Sequence, residues 1–247
     1  ALQKPSGMKA LSSMKLKGKK IVIVVDDNTR PTPVHAFMHL VLQDITMAGG
    51  NLKDIILIPA LGIHTPMSAE EMAEKVGDRN LKKLRWENHN AFDHGKNHFF
   101  GTTSRGTPVF LNTHLRDADL VVLIGLIEPH LWAGFGGGMK NILPGVASAE
   151  TISRHHGIIA EPPYRFNRVG MKPEENSFRQ DLEETRGMIK AEIFCLNVSI
   201  DHTGEVVAAF AGDPIAAHRN GMDYNYSRLG LALDEQVDAI IVNSYPM

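Results

Sequence analysis

Three continuous runs of apolar, mostly β-branched residues constrain the fold of this 247-residue chain more than any other feature. They are KIVIVVDD around residues 21–25, DIILIPA at residues 54–60 and ADLVVLIGLI at residues 118–127. An unbroken apolar run of this length is typical of a strand that is buried on both faces. Because helical patterns alternate with these strands, the sequence predicts an α/β layered domain with a largely parallel, mixed β-sheet flanked by helices.

Local signals predict the remaining elements. Apolar residues at helical spacing follow the first strand and end at Gly49, and a capping box of Ser68 and Glu71 predicts a helix through about Val76. Another helix is expected to begin near Ser148 or Thr151, both of which are candidate caps. The other predicted elements are a short strand at 108–115, a helix at 178–190, two strands at 191–201 and 205–212 joined as a hairpin, a mostly helical segment at 214–236 and a last strand at 237–247.

Composition excludes several classes of protein. A formal net charge of -2 gives no reason to expect a nucleic-acid partner. No apolar run approaches the roughly 18 residues that a membrane-spanning helix needs. The single cysteine, Cys195, rules out an internal disulfide, so we expect a reducing, cytoplasmic location. We interpret residues 1–19 as a partly disordered lead-in and residues 20–247 as one domain.

Polar and ionisable side chains follow the predicted strands at their carboxyl ends, where ligands bind in sheets of this kind. Asp26, Asp27, Thr29 and Arg30 follow the first strand, and His64 follows the second. Glu128 and His130 follow the third strand, so all three sets could converge on one crevice. The arginine is suited to bind a carboxylate or phosphate, although this segment could instead be an Asx turn that caps the next helix. A neutral imidazole at His64 could accept a proton at neutral pH, although a structural role is equally consistent with its position.

The stretch EPHLWAGFGGGMKNILPG, residues 128–145, resembles a phosphate-binding loop but departs from it. Met139 stands where a nucleotide-binding motif needs glycine, and Asn141 replaces the serine or threonine that would hold magnesium. The sequence therefore supports neither an ATPase nor a dinucleotide site. The glycines would still allow a bulky ligand to approach the backbone, and Lys140 beyond them could bond covalently to a cofactor.

Several of the 12 histidines remain open to two readings. Adjacent residues on a helix point to different faces, so only one of His155 and His156 is expected to face a site near Lys140. A weaker hypothesis places zinc in the polar segment before Gly106, with His89, His94 and His98 as ligands. Asp213 and His218 could reach the same crevice, with a helix cap as the alternative role of Asp213.

Five motifs taken in order resemble the nickel-dependent lactate racemase family, in its N-terminal domain. They are DDNTRPTP, GIHTP, EPHLWAGFGGGMKNILPG, TISRHHG and AFAGDPIAAH, and the resemblance runs from about Lys20 to Met247. Each motif is weak alone, and their order and spacing are specific. The resemblance implies a nickel pincer nucleotide, a pyridinium mononucleotide with two sulfur-bearing arms and a Ni–C bond.

The resemblance also implies roles for individual residues. Lys140 matches the lysine that carries the cofactor covalently in some members, and His156 matches the histidine that completes square-planar nickel, a geometry that suits Ni(II). His64 and His130 match the two histidine bases on opposite faces of the substrate, and Arg30 matches the arginine that holds the substrate carboxylate. The residues expected to contact the cofactor are Lys140, Asp27, Thr29, Gly136, Gly137 and Gly138.

The implied activity is racemisation or epimerisation of a lactate-like 2-hydroxy acid by reversible hydride transfer to the cofactor. The implied partners are cofactor maturation proteins and a C-terminal domain or partner subunit, because the family domain with further substrate contacts is absent from this sequence. For that reason the resemblance leaves open whether this chain alone is active. The alternative functions are a non-catalytic domain that binds a nucleotide or carboxylate, a subunit that a partner completes, and a zinc hydrolase.

Overall fold

The computed structural model describes residues 1–160 and 169–230 together with residue 239, and it confirms the α/β fold class. No helix within these residues is long and apolar enough to cross a lipid bilayer. The helices are α1 (Val34–Met47), α2 (Ala69–Val76), α3 (Asp78–Leu81), α4 (Ala149–Gly157), α5 (Ser177–Met188) and α6 (Pro214–Leu229). The strands are β1 (Ile21–Asp26), β2 (Ile55–Ala60), β3 (Arg85–Trp86), β4 (Asn97–Thr102), β5 (Pro108–Asn112), β6 (Leu120–Leu126), β7 (Pro129–His130), β8 (Gly134–Phe135), β9 (Glu192–Ile200) and β10 (Val206–Gly212).

A six-stranded sheet in the order β10-β9-β6-β1-β2-β3 forms the centre of the molecule. Strand β1 runs parallel to β2 and β6, with Ile21 opposite both Ile55 and Leu120. Strand β9 is parallel to β6, and among the described strands of this sheet only the edge strand β10 is antiparallel. Every residue of β1 and β6 is buried, which is the burial that the unbroken apolar runs predict for strands covered on both faces.

Alternating side chains of β1 divide the core into two layers. Ile21, Ile23 and Val25 pack in one cluster with apolar residues of α1 and α2. Val22 and Val24 point the other way and pack in a second cluster with apolar residues of α4 and α5. This division follows from the two-residue period of a strand, and it leaves the ends of the strands free to form a site.

Two predicted helix starts are confirmed by their hydrogen bonds. The Ser68 hydroxyl accepts from the Glu71 amide at 3.2 Å, and the Glu71 carboxylate accepts from the Ser68 amide at 2.7 Å. This is the predicted capping box, and α2 ends at Val76 as expected. Of the two candidates for α4, Ser148 is the cap, because its hydroxyl accepts from the Thr151 amide at 3.2 Å.

The later strands agree with the sequence only in part. The predicted hairpin is confirmed by β9 and β10, which pair antiparallel. The strand expected at 108–115 is shorter, and it pairs with β4 in a separate two-stranded sheet rather than joining the central one. Strand β4 was not predicted, since the polar segment before Gly106 has no apolar run of the kind that marks a buried strand. The strand expected at 237–247 lies outside the described residues, apart from residue 239.

The first residues pack against the core, which differs from the partly disordered lead-in that composition suggested. Residues Leu11–Ser13 form a short 3-10 helix, and Leu11, Met14 and Leu16 are buried in the same cluster as α1. Ser6 also forms a bridge with Gly212 at the end of β10. The apolar side chains are spaced irregularly among lysines and serines, so burial could not be read from a periodic pattern. The division into a lead-in and a domain from residue 20 stays a prediction.

A buried lysine joins α2 to the carboxyl end of β1. The Lys75 ammonium lies 2.9 Å from an Asp26 carboxylate oxygen and donates to the carbonyls of Asp27 at 2.9 Å and Arg30 at 2.7 Å. The second Asp26 oxygen accepts from the Thr32 hydroxyl and from the Leu126 amide at 3.2 Å. Burial raises the pKa of Asp26, and Lys75 opposes that rise. The pair therefore fixes the loop after β1 relative to the end of β6.

We expect Lys75→Met to lower the free energy of unfolding by about 3–5 kcal/mol, because it leaves a buried carboxylate without its cation. Urea unfolding at neutral pH measures this. Lys82→Met is the matched control, since Lys82 pairs with Asp78 at 2.6 Å on the exposed surface, and its loss is expected to stay below about 1 kcal/mol. The double variant Asp26→Asn, Lys75→Met should recover part of the stability. Equal losses for the two single variants would contradict a buried ion pair at Lys75.

Candidate functional site

A cavity of about 590 Å³ opens at the carboxyl ends of β1, β2 and β6. This is the edge of a parallel sheet at which ligands bind. Its walls come from the loops after these strands, from the Gly-rich loop (residues 128–145) and from α4. The predicted site residues that line it are Asp27, Thr29, Arg30, His64, Gly136, Gly137, Lys140 and His156, whereas His130 and Gly138 are not among its lining residues.

The loop after β1 holds a buried carboxylate against His64. One Asp27 oxygen accepts from both the amide and the hydroxyl of Thr29, at 3.1 and 2.5 Å, which forms an Asx-type turn. The turn does not cap the next helix, which was the alternative expected from the sequence, because α1 begins after Pro33 without a side-chain cap. The other oxygen lies 2.6 Å from Nδ1 of His64. A carboxylate can only accept, so Nδ1 carries the proton and Nε2 of His64 is the basic nitrogen.

Arg30 is paired with a carboxylate from the neighbouring strand end. One guanidinium nitrogen, Nη1, lies 2.8 Å from Oε1 of Glu128, and both side chains keep partial exposure to solvent. Sequence reasoning placed Glu128 at a strand end and gave it no partner. A guanidinium has five N–H donors in a planar fork, so one contact of this kind leaves donors for a second carboxylate.

The glycines of the Gly-rich loop are required by packing behind the loop. Gly137 has a φ of 74°, and a Cβ there would lie 2.6 Å from Ile127 and 2.9 Å from the carbonyl of Leu126. A Cβ on Gly138, which has a φ of 61°, would lie 3.1 Å from Cβ of His218. Both positions therefore need glycine whether or not a ligand is present. Their contact with a cofactor stays a prediction.

Buried cationic and imidazole groups hold the carbonyls of this loop. Arg179 is fully buried and donates to the carbonyls of Ala133 at 3.3 Å, Phe135, and Gly137 at 3.5 Å. Burial lowers the pKa of Arg179 to about 10, so it remains protonated at neutral pH. His218 donates from Nε2 to the Gly136 carbonyl at 3.0 Å.

These supporting residues clarify two uncertain assignments. Burial lowers the pKa of His218 well below its usual value, so this histidine supports the Gly-rich loop as a neutral group. Asp213 caps α6, because its carboxylate accepts from the amides of Ile215 and Ala216 at 3.0 and 3.1 Å. Sequence reasoning missed Arg179, since an arginine within an amphipathic helix has no feature that marks it as buried.

Lys140 lies in a 3-10 helix (Gly138–Asn141) at the wall of the cavity. Burial lowers the pKa of its ammonium to about 7, and the charges of Arg179 and Arg30 add to this effect, while Glu128 opposes it. A substantial fraction of the amine is therefore neutral near pH 7. A neutral amine is a nucleophile, whereas an ammonium is not.

The two adjacent histidines of α4 point to different surroundings. His156 lines the cavity, and its Nδ1 donates to the Ile152 carbonyl at 2.8 Å, which leaves Nε2 as a possible ligand atom. His155 is fully buried, with Nδ1 2.7 Å from an oxygen of Asp181. The structure thus brings only one histidine of the pair to the cavity.

His130 is held in the opposite tautomer to His64. Its Nδ1 accepts from the amides of Trp132 at 3.2 Å and Ala133 at 3.1 Å, so the proton of the neutral ring is on Nε2. Burial lowers the pKa of His130 to about 3, and the charge of Lys140 contributes. One histidine therefore presents a basic nitrogen and the other an N–H donor.

The structure gives no support to the zinc hypothesis. His89 is buried, and its two ring nitrogens lie 2.9 Å from the Ala147 carbonyl and 3.3 Å from the Asn112 amide group. Within the described part of the chain, no group of three His, Cys, Asp or Glu side chains is arranged to hold a metal ion.

Comparisons with known proteins agree with the family that the motifs resemble. Residues 1–166 match the family profile described as the lactate racemase N-terminal domain. The lactate racemase of Thermoanaerobacterium thermosaccharolyticum is 34% identical over 251 residues, which cover 100% of this chain and 57% of that protein. The lactate racemase of Lactiplantibacillus plantarum is 31% identical over 226 residues, which cover 91% of this chain and 52% of that protein. The chain thus spans about half the length of the curated relatives that it matches.

Solved structures give the same result. The lactate racemase apoprotein from Thermoanaerobacterium thermosaccharolyticum aligns with a TM-score of 0.83 at 34% identity, over 91% of this chain and 53% of that chain. A protein from Thermotoga maritima aligns with a TM-score of 0.73 over 88% of this chain and 57% of that chain. Its identity of 23% shows the fold alone. The family profile and the two relatives together show that this chain belongs to the lactate racemase family, as its N-terminal domain.

Proposed function

We propose that the protein containing this chain is a racemase or epimerase of a lactate-like 2-hydroxy acid and that it works with a nickel pincer nucleotide. The observation that carries the proposal is one cavity lined by a lysine of depressed pKa, a histidine with a free nitrogen and an arginine. These are the residue types that a tethered, nickel-bearing cofactor and a carboxylate substrate require.

The cavity residues fit this cofactor in chemical type. Lys140 has the reactive amine that a covalent tether needs, and His156 has an imidazole nitrogen for square-planar nickel. The Asp27–Thr29 turn and the Gly-rich loop would form the walls around the nucleotide, with contacts from Gly136 and Gly137, which line the cavity. A volume of about 590 Å³ is within the range of sites that bind small molecules. When bound, the cofactor would supply the hydride acceptor.

The residues of the chain would handle the substrate and its proton. Arg30 would orient the carboxylate through the guanidinium donors that Glu128 leaves open. His64 would accept the hydroxyl proton at Nε2, because Asp27 holds the ring in that tautomer. His130 would act on the opposite face of the substrate through Nε2, because Nδ1 is occupied by the amides of Trp132 and Ala133.

A second candidate is a domain that binds a nucleotide or carboxylate and is completed by a C-terminal domain or partner subunit. The exposure of the side chains that would handle substrate favours it, since His64 is 53% exposed and Arg30 is 39% exposed. Catalysis of this kind requires that water be excluded from the reacting atoms. Comparing racemisation by this chain alone with that by this chain supplied with the C-terminal domain of a lactate racemase relative distinguishes the two candidates.

We expect Lys140 of the cofactor-free protein to react with acetic anhydride with a pH midpoint near 7. The pKa of an ordinary lysine is about 10.4, so surface lysines are mostly protonated at neutral pH and react little with the anhydride. Labelling should rise with pH, because deprotonation creates the reactive amine. Peptide mapping by mass spectrometry over pH 5–11 would measure this, and a midpoint near that of ordinary lysines would contradict the proposed activation.

When the protein is produced with its maturation proteins, we expect an added mass on Lys140 and bound nickel. His156→Ala should lose most of the nickel, because it removes the imidazole ligand. His155→Asn is the matched control, since it keeps a donor for Asp181 and lies outside the cavity. Metal analysis and intact mass are the measurements. Equal nickel loss in both variants, with folding verified by circular dichroism, would argue against His156 as the ligand.

A further inference from the structure

Two of the three carboxylates around the cavity are paired with a cation, and the third contacts a histidine. Asp26 is paired with Lys75 at 2.9 Å, and Asp27 contacts His64 at 2.6 Å. Glu128 contacts the Arg30 guanidinium at 2.8 Å. Lys140 also lines the cavity, but its pKa of about 7 gives it only partial charge at neutral pH. Among the described residues, the cavity therefore has little positive charge that is not already paired with a carboxylate of the protein.

The Glu128 side chain is confined to this position. Its carbonyl accepts from the Gly136 amide at 2.7 Å, which ties its backbone to the Gly-rich loop. A Cβ on Gly136 would lie 3.3 Å from Cγ of Glu128, so the side chain runs close along the loop. The Glu128 carboxylate, with its side chain 26% exposed, thus lies 2.8 Å from the guanidinium that would hold a substrate carboxylate.

Much of the rest of the cavity wall is apolar. Ile63, Phe92 and Ile152 are among the side chains that line it. Such side chains offer contact area to a short alkyl group but no donor that would compensate a second carboxylate. A second negative charge on the ligand would meet the field of Glu128 in a partly desolvated site, where like charges repel strongly.

We propose that Glu128 is a specificity-determining residue that favours 2-hydroxy acids with one carboxylate and a short uncharged substituent over those with two carboxylates. This inference rests on the proposed function, because it takes Arg30 as the substrate-binding group. One carboxylate can share the guanidinium fork with Glu128, since only Nη1 is taken. A second carboxylate on the same small ligand would remain close to Glu128 without a cation of its own.

The test compares lactate with malate, which differs by a second carboxylate. It uses the complete gene product, matured with its cofactor, as wild type and as Glu128→Gln. The amide keeps an oxygen that can accept from Arg30 and removes the negative charge. We expect the ratio of kcat/KM for malate to that for lactate to rise by about tenfold or more in Glu128→Gln, which corresponds to removal of one close like-charge repulsion. A change of less than about twofold, or a wild-type preference for malate, would overturn the inference.

Glu87→Gln is the matched control, because Glu87 also forms an ion pair, with His114 at 3.0 Å, and lies outside the cavity. It should leave the ratio unchanged. Calorimetric titration of both acids into the cofactor-free protein separates this inference from the proposed function. If the wild type racemises neither acid but Glu128→Gln binds malate more tightly relative to lactate, the proposed function fails and the role of Glu128 stands. If no form binds either acid, the assignment of Arg30 as the carboxylate site fails, and the inference with it.

Discussion

The Gly-rich loop keeps its shape because one fully buried guanidinium, that of Arg179, donates hydrogen bonds to three of its carbonyls in the interior. It donates to the carbonyls of Ala133, Phe135 and Gly137, which are successive alternate residues of the loop. Unpaired buried carbonyls would cost free energy comparable to lost hydrogen bonds. The positions of Lys140 and His130, which lie at the two ends of this segment, depend on that support.

The charge of Arg179 also affects the pKa values of two side chains in the loop. The positive charge of Arg179 contributes, after burial, to the depressed pKa values of both Lys140 and His130. A cation placed for structural reasons therefore keeps the nearby amine partly neutral. Lys75 has a comparable structural role on the other side of the cavity, where it holds the carbonyls of Asp27 and Arg30. In both cases the group that fixes a loop lies outside the motif that the loop carries.

Much of the fold and part of the site could be predicted from sequence. The buried apolar runs predicted the parallel centre of the sheet, and the rule for strand ends brought Asp27, Arg30 and His64 to one cavity. The order and spacing of the motifs were sufficient to indicate the family. The partners of these residues could not be predicted, because a salt bridge between Arg30 and Glu128 spans about a hundred positions of the chain and has no local pattern.

The sequence by itself determined which segments form the central buried strands, where α2 begins, and which family the motifs resemble, because these depend on local periodicity, caps and short-range order. Only the tertiary structure decided which histidine of the adjacent pair reaches the cavity and which tautomers His64 and His130 adopt. It also decided the pKa of Lys140. These properties arise from burial and from charges brought together across the sheet, and neither is encoded within any single segment.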